Sequence, residues 1–441
     1  MLEKLFQVAQ RQSTARTEIG GGVTTFMTMA YIIFVNPAIL SQTGMDFGAV
    51  MVATCLSAAL ATLVMGLLAN YPIALAPGMG ENFFFLTAVL SMGITWQQGL
   101  AAVLISGIAF IILNLLKIRQ LIIDAVPDTL KYGISAGIGL FIVFIGLVNG
   151  GVVERHPQSP VVPVQLGDLA NPAVHVTLLG LALTAALLVR RVRGAILLGI
   201  LGSGILGLLL GVAEYQGLVA RPPSLAPTFL QMDLGSLLSW ELVPIALIFL
   251  YMAIFDAIGT LIGVGEQAGL LRQGRLVRGT RALMADASGT VMGACLGTST
   301  VTAYIESSAG VAAGARTGLA NIVTGLLFIA AIFFSPLVRM IGGGFAWREG
   351  VFLYPITAPA LIVVGTFMAA NLRRIPWDDF SEAIPGLLVV TGIPLTYSIA
   401  DGLALGFVSY PVVKLLGGRG REVGWLGYLL GSLFVARYLF L

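Results

Sequence analysis

Glu81, Asp256 and Glu306 are carboxylates set in long apolar surroundings: "ALAPGMGENFFF" (74–85), "LYMAIFDAIGTLIGVGEQAGL" (250–270) and "GTSTVTAYIESSAGVAAGA" (297–315). A carboxylate at mid-depth in a membrane costs about 2.5–3.5 kcal/mol. Complementing a helix N-terminus returns only ~0.3–1 kcal/mol. Acids kept at that cost are expected to accept N–H donors from a bound solute or to take up a proton. Asn82 puts an amide beside Glu81, and Phe83 opens a run of three phenylalanines that suits a flat ligand. Gly80 precedes them and completes the candidate set. The plainer readings are a helix cap for Glu81, core or lipid packing for at least two of Phe83, Phe84 and Phe85, and, for Asp256, a hydrogen bond accepted from the broken backbone of a neighbouring span. Asp286 reads equally well as a brace between helices, Asp401 as a helix cap, and Glu266 as a solvated group at a helix end.

Other chemistries lack their residues. His156 and His175 have no Cys or His partners at ligand spacing, so no metal is expected. No Gly-Lys-Ser/Thr phosphate loop is present, which disfavours ATP-driven pumping. No His accompanies a nucleophile inside an apolar segment, which argues against an intramembrane enzyme. Isolated acids at one depth do not make the continuous polar path of a channel. No cofactor and no nucleic-acid partner are expected. Cys55 and Cys295 lie in apolar runs and imply no disulfide framework.

The elements that must position these acids follow from composition. Apolar residues make up 57% of the 441, charged residues 10%, and mean hydropathy is +0.96, against about 25% charged in a soluble domain. That is an all-α polytopic membrane protein. Apolar windows fall near 23–40, 48–69, 72–91, 98–116, 129–149, 173–189 and 194–213, and again near 241–265, 280–296, 298–314, 317–338, 351–371, 382–398 and 401–416. The organisation expected is therefore an amphipathic N-terminus (1–22), a first repeat (23–213), a Pro-rich linker (214–240), a second repeat (241–416) and a C-terminal apolar segment (417–441). Seven spans reverse the chain's orientation, so seven plus seven makes fourteen in an inverted repeat.

Charge supports the map. With the N-terminus inside, nineteen Lys and Arg fall on the inner side, among them Lys117, Arg119, Arg190, Arg191 and Arg193, against Arg155, Arg221, Arg339 and Arg348 outside. The third span of each half is interrupted. Pro77 cannot donate within a helix, and the hydroxyl-rich, β-branched "STVT" (299–302) favours extended backbone. Each break leads into a short helix of about a dozen residues, with Glu81 and Glu306 a few residues inside. Irregular backbone at that depth must be covered or line a cavity, so the two breaks point to one central site.

Several stretches closely resemble the azaguanine-like purine permeases, a branch of the nucleobase/ascorbate transporter superfamily: "TEIGGGVTTFMTMAYIIFVNPAIL" (17–40), "ALAPGMGEN", "FDAIGTLIG" (255–263), "GTSTVTAYIESSAGVAAGARTGL" (297–319) and "DDFSEAIPGLLVVTGIPLTYSIADGLALGF" (378–407). The resemblance implies a uracil-permease-like fold of fourteen segments, with short strands in spans 3 and 10. Spans 1–4 and 8–11 would form a core, spans 5–7 and 12–14 a gate. It implies proton-linked import of adenine, guanine, hypoxanthine or xanthine across the cell membrane, with Na+ as the alternative ion. Several relatives assemble as dimers, which puts a homodimer among the partners beside the base and the bilayer. The family's substrate positions map onto Asn82, Asp256 and Glu306. The better-known members read Gly-Met-Gly-Leu-Asn-Ala where this chain has Glu81 and Phe83, a departure that bears on substrate and coupling ion. A pyrimidine or anion carrier of the same fold is the alternative; site carboxylates would repel an inorganic anion.

Overall fold

The computed structural model describes residues 2–116, 127–156, 163–239, 242–272, 275–348 and 351–440. Lys117 and Arg119, two of the inner-side cations, lie outside them.

In chain order the helices are α1 (Leu2–Phe6), α2 (Ala15–Met29), α3 (Ile32–Leu40), α4 (Phe47–Leu68), α5 (Met79–Met92), α6 (Trp96–Leu115), α7 (Asp128–Asn149), α8 (Pro172–Val189) and α9 (Ala195–Leu209). The later part of the chain adds α10 (Leu242–Gln267), α11 (Gly279–Leu296), α12 (Ser307–Ala312), α13 (Leu319–Ala331), α14 (Ser335–Gly342), α15 (Ala358–Ala369), α16 (Phe380–Thr396), α17 (Ile399–Leu416) and α18 (Trp425–Phe440). The strands are β1 (Leu75–Pro77), β2 (Val153–Arg155), β3 (Val164–Leu166), β4 (Leu271–Arg272), β5 (Arg275–Leu276), β6 (Val301–Ala303), β7 (Phe345–Arg348) and β8 (Val351–Leu353). Three antiparallel pairs, β2–β3, β4–β5 and β7–β8, join strands close in sequence, whereas β1 pairs with β6 from the other half of the chain.

Among the described residues eight helical segments are long and apolar enough to cross a bilayer, and α5, α9 and α16 are shorter apolar helices. Local sequence sets their ends. The Asp46 side chain accepts the Ala49 N–H at 2.7 Å to start α4, and Asn171 caps α8 ahead of Pro172, which needs no N–H partner in a first turn. For α17 the cap is Ser398, whose hydroxyl accepts the Asp401 N–H at 3.2 Å. The cap expected at Asp401 therefore lies three residues earlier, because the chain enters the helix from an extended Ser398.

Contacts divide the chain into two compact units. One comprises Met1–Asn114 and Leu147–Ala360, the other Leu115–Gly146 and Leu361–Leu441. In the first, α4 packs against α11 and α13, and α2 against α12 and α13. α8 and α9, the sixth and seventh windows, pack on each other in this same unit.

In the second unit α16 and α17 are the main packed pair, and charges tie their ends. The buried Lys414 ammonium lies 2.6 Å from Glu382 Oε1 and 2.9 Å from Glu422 Oε2. Arg419 reaches Asp379 at 2.6 Å and Glu422 at 2.7 Å. The hydrogen bonds from Arg419 hold Asp379 down at about 2, and with Lys414's help hold Glu422 at about 2. Depressed carboxyl values mean the contribution is present above the ordinary range near ~4 and is lost as pH falls through ~2. Arg419→Gln is therefore expected to remove part of the acid-induced fall in melting temperature between about pH 4 and 2. An identical acid profile for the variant in detergent would show that the pair contributes nothing.

Candidate functional site

The two interrupted segments meet as an antiparallel seam, Leu75 opposite Ala303, Ala76 opposite Thr302 and Pro77 opposite Val301. The Gly78 N–H donates to the Thr300 carbonyl at 2.9 Å, and the Tyr304 N–H to that of Ala74 at 3.0 Å. So short a pair cannot stand alone, and side chains from neighbouring helices complete its hydrogen bonds. Thr62 of α4 bonds the Leu75 carbonyl at 3.0 Å and its N–H at 2.9 Å. Thr290 of α11 donates to the Val301 carbonyl at 2.9 Å, and Asn321 of α13 to that of Ile73 at 2.7 Å. The Ala303 N–H donates to Asp286 Oδ1 at 2.9 Å. Asp286 of α11 therefore braces a strand of the seam, not a second helix as its sequence suggested.

The helix after β6 differs from expectation. α12 has six residues, not about a dozen, and Glu306 precedes it rather than lying inside. Three i→i+3 bonds, from the N–H groups of Ser307, Ser308 and Ala309, tighten the entry. At the far end Gly314 turns left-handed (φ 107°), a conformation glycine adopts without strain. The counterpart α5 has fourteen residues, with Glu81 in its first turn.

The structure places the candidates as follows. Asn82 is fully buried, its Oδ1 accepting from the Ser299 hydroxyl, while its Nδ2 has no hydrogen-bond partner among the described residues. Glu81 is 2% exposed. Its Oε2 folds over the start of α5, where a β-carbon on Gly78 would come within 2.2 Å of it. Its Oε1 has no hydrogen-bond partner among the described residues. Gly80 and Phe83 are buried beside them. Phe84 and Phe85 pack on Phe249 of α10, with ring centroids 4.7 and 6.4 Å apart.

Asp256 stands midway along α10, which packs against β6, α5 and α12. It is exposed, and a side chain at Gly259, one turn on, would meet nothing within 4 Å. Open space therefore runs beside the acid. Glu306 is half-buried, and its Oε1 accepts the Tyr31 hydroxyl at 2.8 Å. Asp256 lies within electrostatic range of Glu306, Glu81 and Asp286. Acids from both halves of the chain thus gather at one seam, all within the first unit.

Sequence reasoning missed Tyr31, Ser299 and Tyr304. Tyr304 donates to the Pro77 carbonyl across the seam. The signal for Ser299 was its place in the hydroxyl-rich break; a tyrosine in an apolar span gives none. Glu18, in the glycine-rich start of α2, is also buried and accepts the N–H groups of Arg316 at 2.9 Å and Thr317 at 3.2 Å.

Apolar helices around a seam of two broken segments that carries acids define a membrane permease. Residues 16–405 match the model of the Permease family, and the chain belongs to that family. It is 49% identical over its whole length to the putative permease MJ0326 of Methanocaldococcus jannaschii, covering 98% of that protein. It is 43% identical to the guanine/hypoxanthine permease PbuG of Bacillus subtilis, with 100% of both chains covered. It is 41% identical to the adenine permease AdeP of Escherichia coli, over 100% of this chain and 96% of that one. The likeness to the nucleobase/ascorbate transporters read from the motifs holds, and the chain is a transporter rather than an enzyme. Among solved structures, the transmembrane domain of the cyanobacterial bicarbonate transporter BicA is similar in fold alone. Its TM-score is 0.60 at 15% identity, over 89% of this chain and 97% of that one.

Proposed function

We propose that this protein imports a nucleobase, a purine by expectation, by cation symport with alternating access. The observation that carries the reading is the seam itself, where Asp256 and Glu306 stand within electrostatic range beside open space. Relatives at 41–43% identity named for guanine, hypoxanthine and adenine support the choice of cargo.

In this reading ring N–H and amino groups of the base donate to Glu306 and Asp256. Asn82, with Gly80 before it, meets a carbonyl or ring nitrogen, and Phe83 forms the wall beneath. Carboxylates accept such bonds when ionised, and a dry surrounding strengthens them. Glu306, Asp256 and Glu81 are the candidates to carry the coupling proton, Na+ being the other ion to test. Fourteen spans in two inverted repeats, a cytoplasmic N-terminus, residence in the cell membrane and a homodimer complete the proposal. The site is carried by spans 1–4 and 8–11. The distribution of Lys and Arg supports the orientation.

The test is uptake into proteoliposomes with a panel of labelled purines and pyrimidines, with and without an inward pH gradient. We expect saturable purine uptake, stimulated by the gradient. Uptake of pyrimidines alone would reassign the cargo, and uptake indifferent to H+ but dependent on Na+ would reassign the ion.

A further inference from the structure

The first span carries a break that binding by spans 3, 8 and 10 leaves without a task. α2 stops at Met29 and α3 starts at Ile32. The turn is tightened by i→i+3 bonds, the Ile33 N–H to the Ala30 carbonyl at 3.1 Å and the Phe34 N–H to the Tyr31 carbonyl at 3.1 Å. Pro37 lies in α3 and has no N–H to return to Ile33, which loosens the ladder at the same place. The Thr28 hydroxyl folds back onto the carbonyls of Thr24 at 3.1 Å and Thr25 at 2.9 Å, a contact that bends helices.

The break presents two hydroxyls to one residue. Tyr31 donates to Glu306 Oε1 at 2.8 Å, and the Thr28 hydroxyl, whose single proton is shared with carbonyls of its own helix, lies 3.2 Å from the Glu306 main-chain carbonyl. Tyr31 is 1% exposed, so water does not compete for its hydroxyl. Its ring lies 6.3 Å from that of Tyr304, which is itself bonded to the Pro77 carbonyl. The phenol is thus fixed from behind by the seam. A free carboxylate turns readily about its last torsion; this one is held through one oxygen.

We propose that Tyr31 is a positioning residue for Glu306, holding Oε1 so that the remaining oxygen faces the solute. The claim rests on the nucleobase reading above. An acceptor ordered in advance gives up less freedom when the base arrives, so the benefit lies in affinity rather than in the rate of the transport cycle.

Tyr31→Phe keeps the ring and removes only the donor. In proteoliposomes, with the purine the wild type prefers, we expect the half-saturation concentration to rise about tenfold. The maximal rate should change less than about twofold, and the melting temperature in detergent should fall by no more than a few degrees. A tether that only supports the fold would lower the rate and the melting temperature together. An unchanged half-saturation concentration in Tyr31→Phe overturns the proposal. Should Tyr31→Phe not fold, a fluorinated tyrosine placed at position 31 keeps the ring and the hydroxyl but changes the strength of the donor to Glu306 Oε1, and must shift the half-saturation concentration; no change there overturns the proposal too. A wild type that takes up no base in the panel removes the nucleobase reading, and the role of Tyr31 with it.

Discussion

Glu306→Gln is expected to lower purine uptake by about 100-fold while leaving the protein folded. The two side chains have nearly the same shape, so packing around the entry to α12 should survive. What changes is the direction of the hydrogen bonds. Tyr31, which now donates to Oε1 at 2.8 Å, will take the amide oxygen of the glutamine. The NH2 group then faces the solute where an acceptor stood, and a donor meets a donor. Losing a bond to a charged group costs roughly 1.5–3 kcal/mol, and an unsatisfied buried partner adds roughly 1–3. At 1.4 kcal/mol per factor of ten, the low end of that sum already gives about two orders of magnitude. Initial rates of labelled purine uptake, normalised to reconstituted protein, measure this. Undiminished, proton-linked uptake by the variant would remove Glu306 from the site.

Gly310→Val should abolish uptake by a different route. A β-carbon at Gly310 would lie 2.0 Å from Thr25 Oγ1 and 2.6 Å from the Gly21 carbonyl oxygen. Across the same contact, a β-carbon at Gly21 would meet that of Ala315 at 2.5 Å. These helices touch backbone to backbone, and a carbonyl cannot rotate aside as a side chain can. Overpacking of this kind costs about 1–3 kcal/mol and occasionally more. Because α12 has only six residues, a shift at Gly310 carries Glu306 with it. We expect both a lower melting temperature in detergent and uptake reduced to background. Gly20→Ala is the control, since its β-carbon would meet nothing within 4 Å. A folded Gly310→Val protein with full uptake would show that the contact does not set the position of Glu306.

Much of the site is legible in the sequence for a simple reason. In a chain with 10% charged residues, an acid inside an apolar window stands out, because its desolvation must be offset by something. Glu81, Asp256, Asp286 and Glu306 were found that way. Pro77 and the run of hydroxyl residues marked where each helix had to break. Signals spread over distant residues were not legible. The length of α12 depends on where Gly314 turns the chain and on α2 lying against it, so a dozen expected residues became six. Tyr31 shows no local sign of its role, since a tyrosine in an apolar span packs, caps or binds with equal ease. Nothing local to Glu18 signals its task, because its partners, the N–H groups of Arg316 and Thr317, lie some three hundred positions away.

By itself, the sequence determined that this is a helical membrane protein, where two of its helices break, and which acids had to be accounted for; transfer energies and backbone donor counts act residue by residue and need no fold. Tertiary structure alone decided which partner each of those acids has. It gave Asp286 to the Ala303 N–H, left one oxygen of Glu81 without a partner among the described residues, and set Glu306 against Tyr31. Hydrogen bonds reach only about 3 Å, so such assignments exist only once segments far apart in the chain have been packed together.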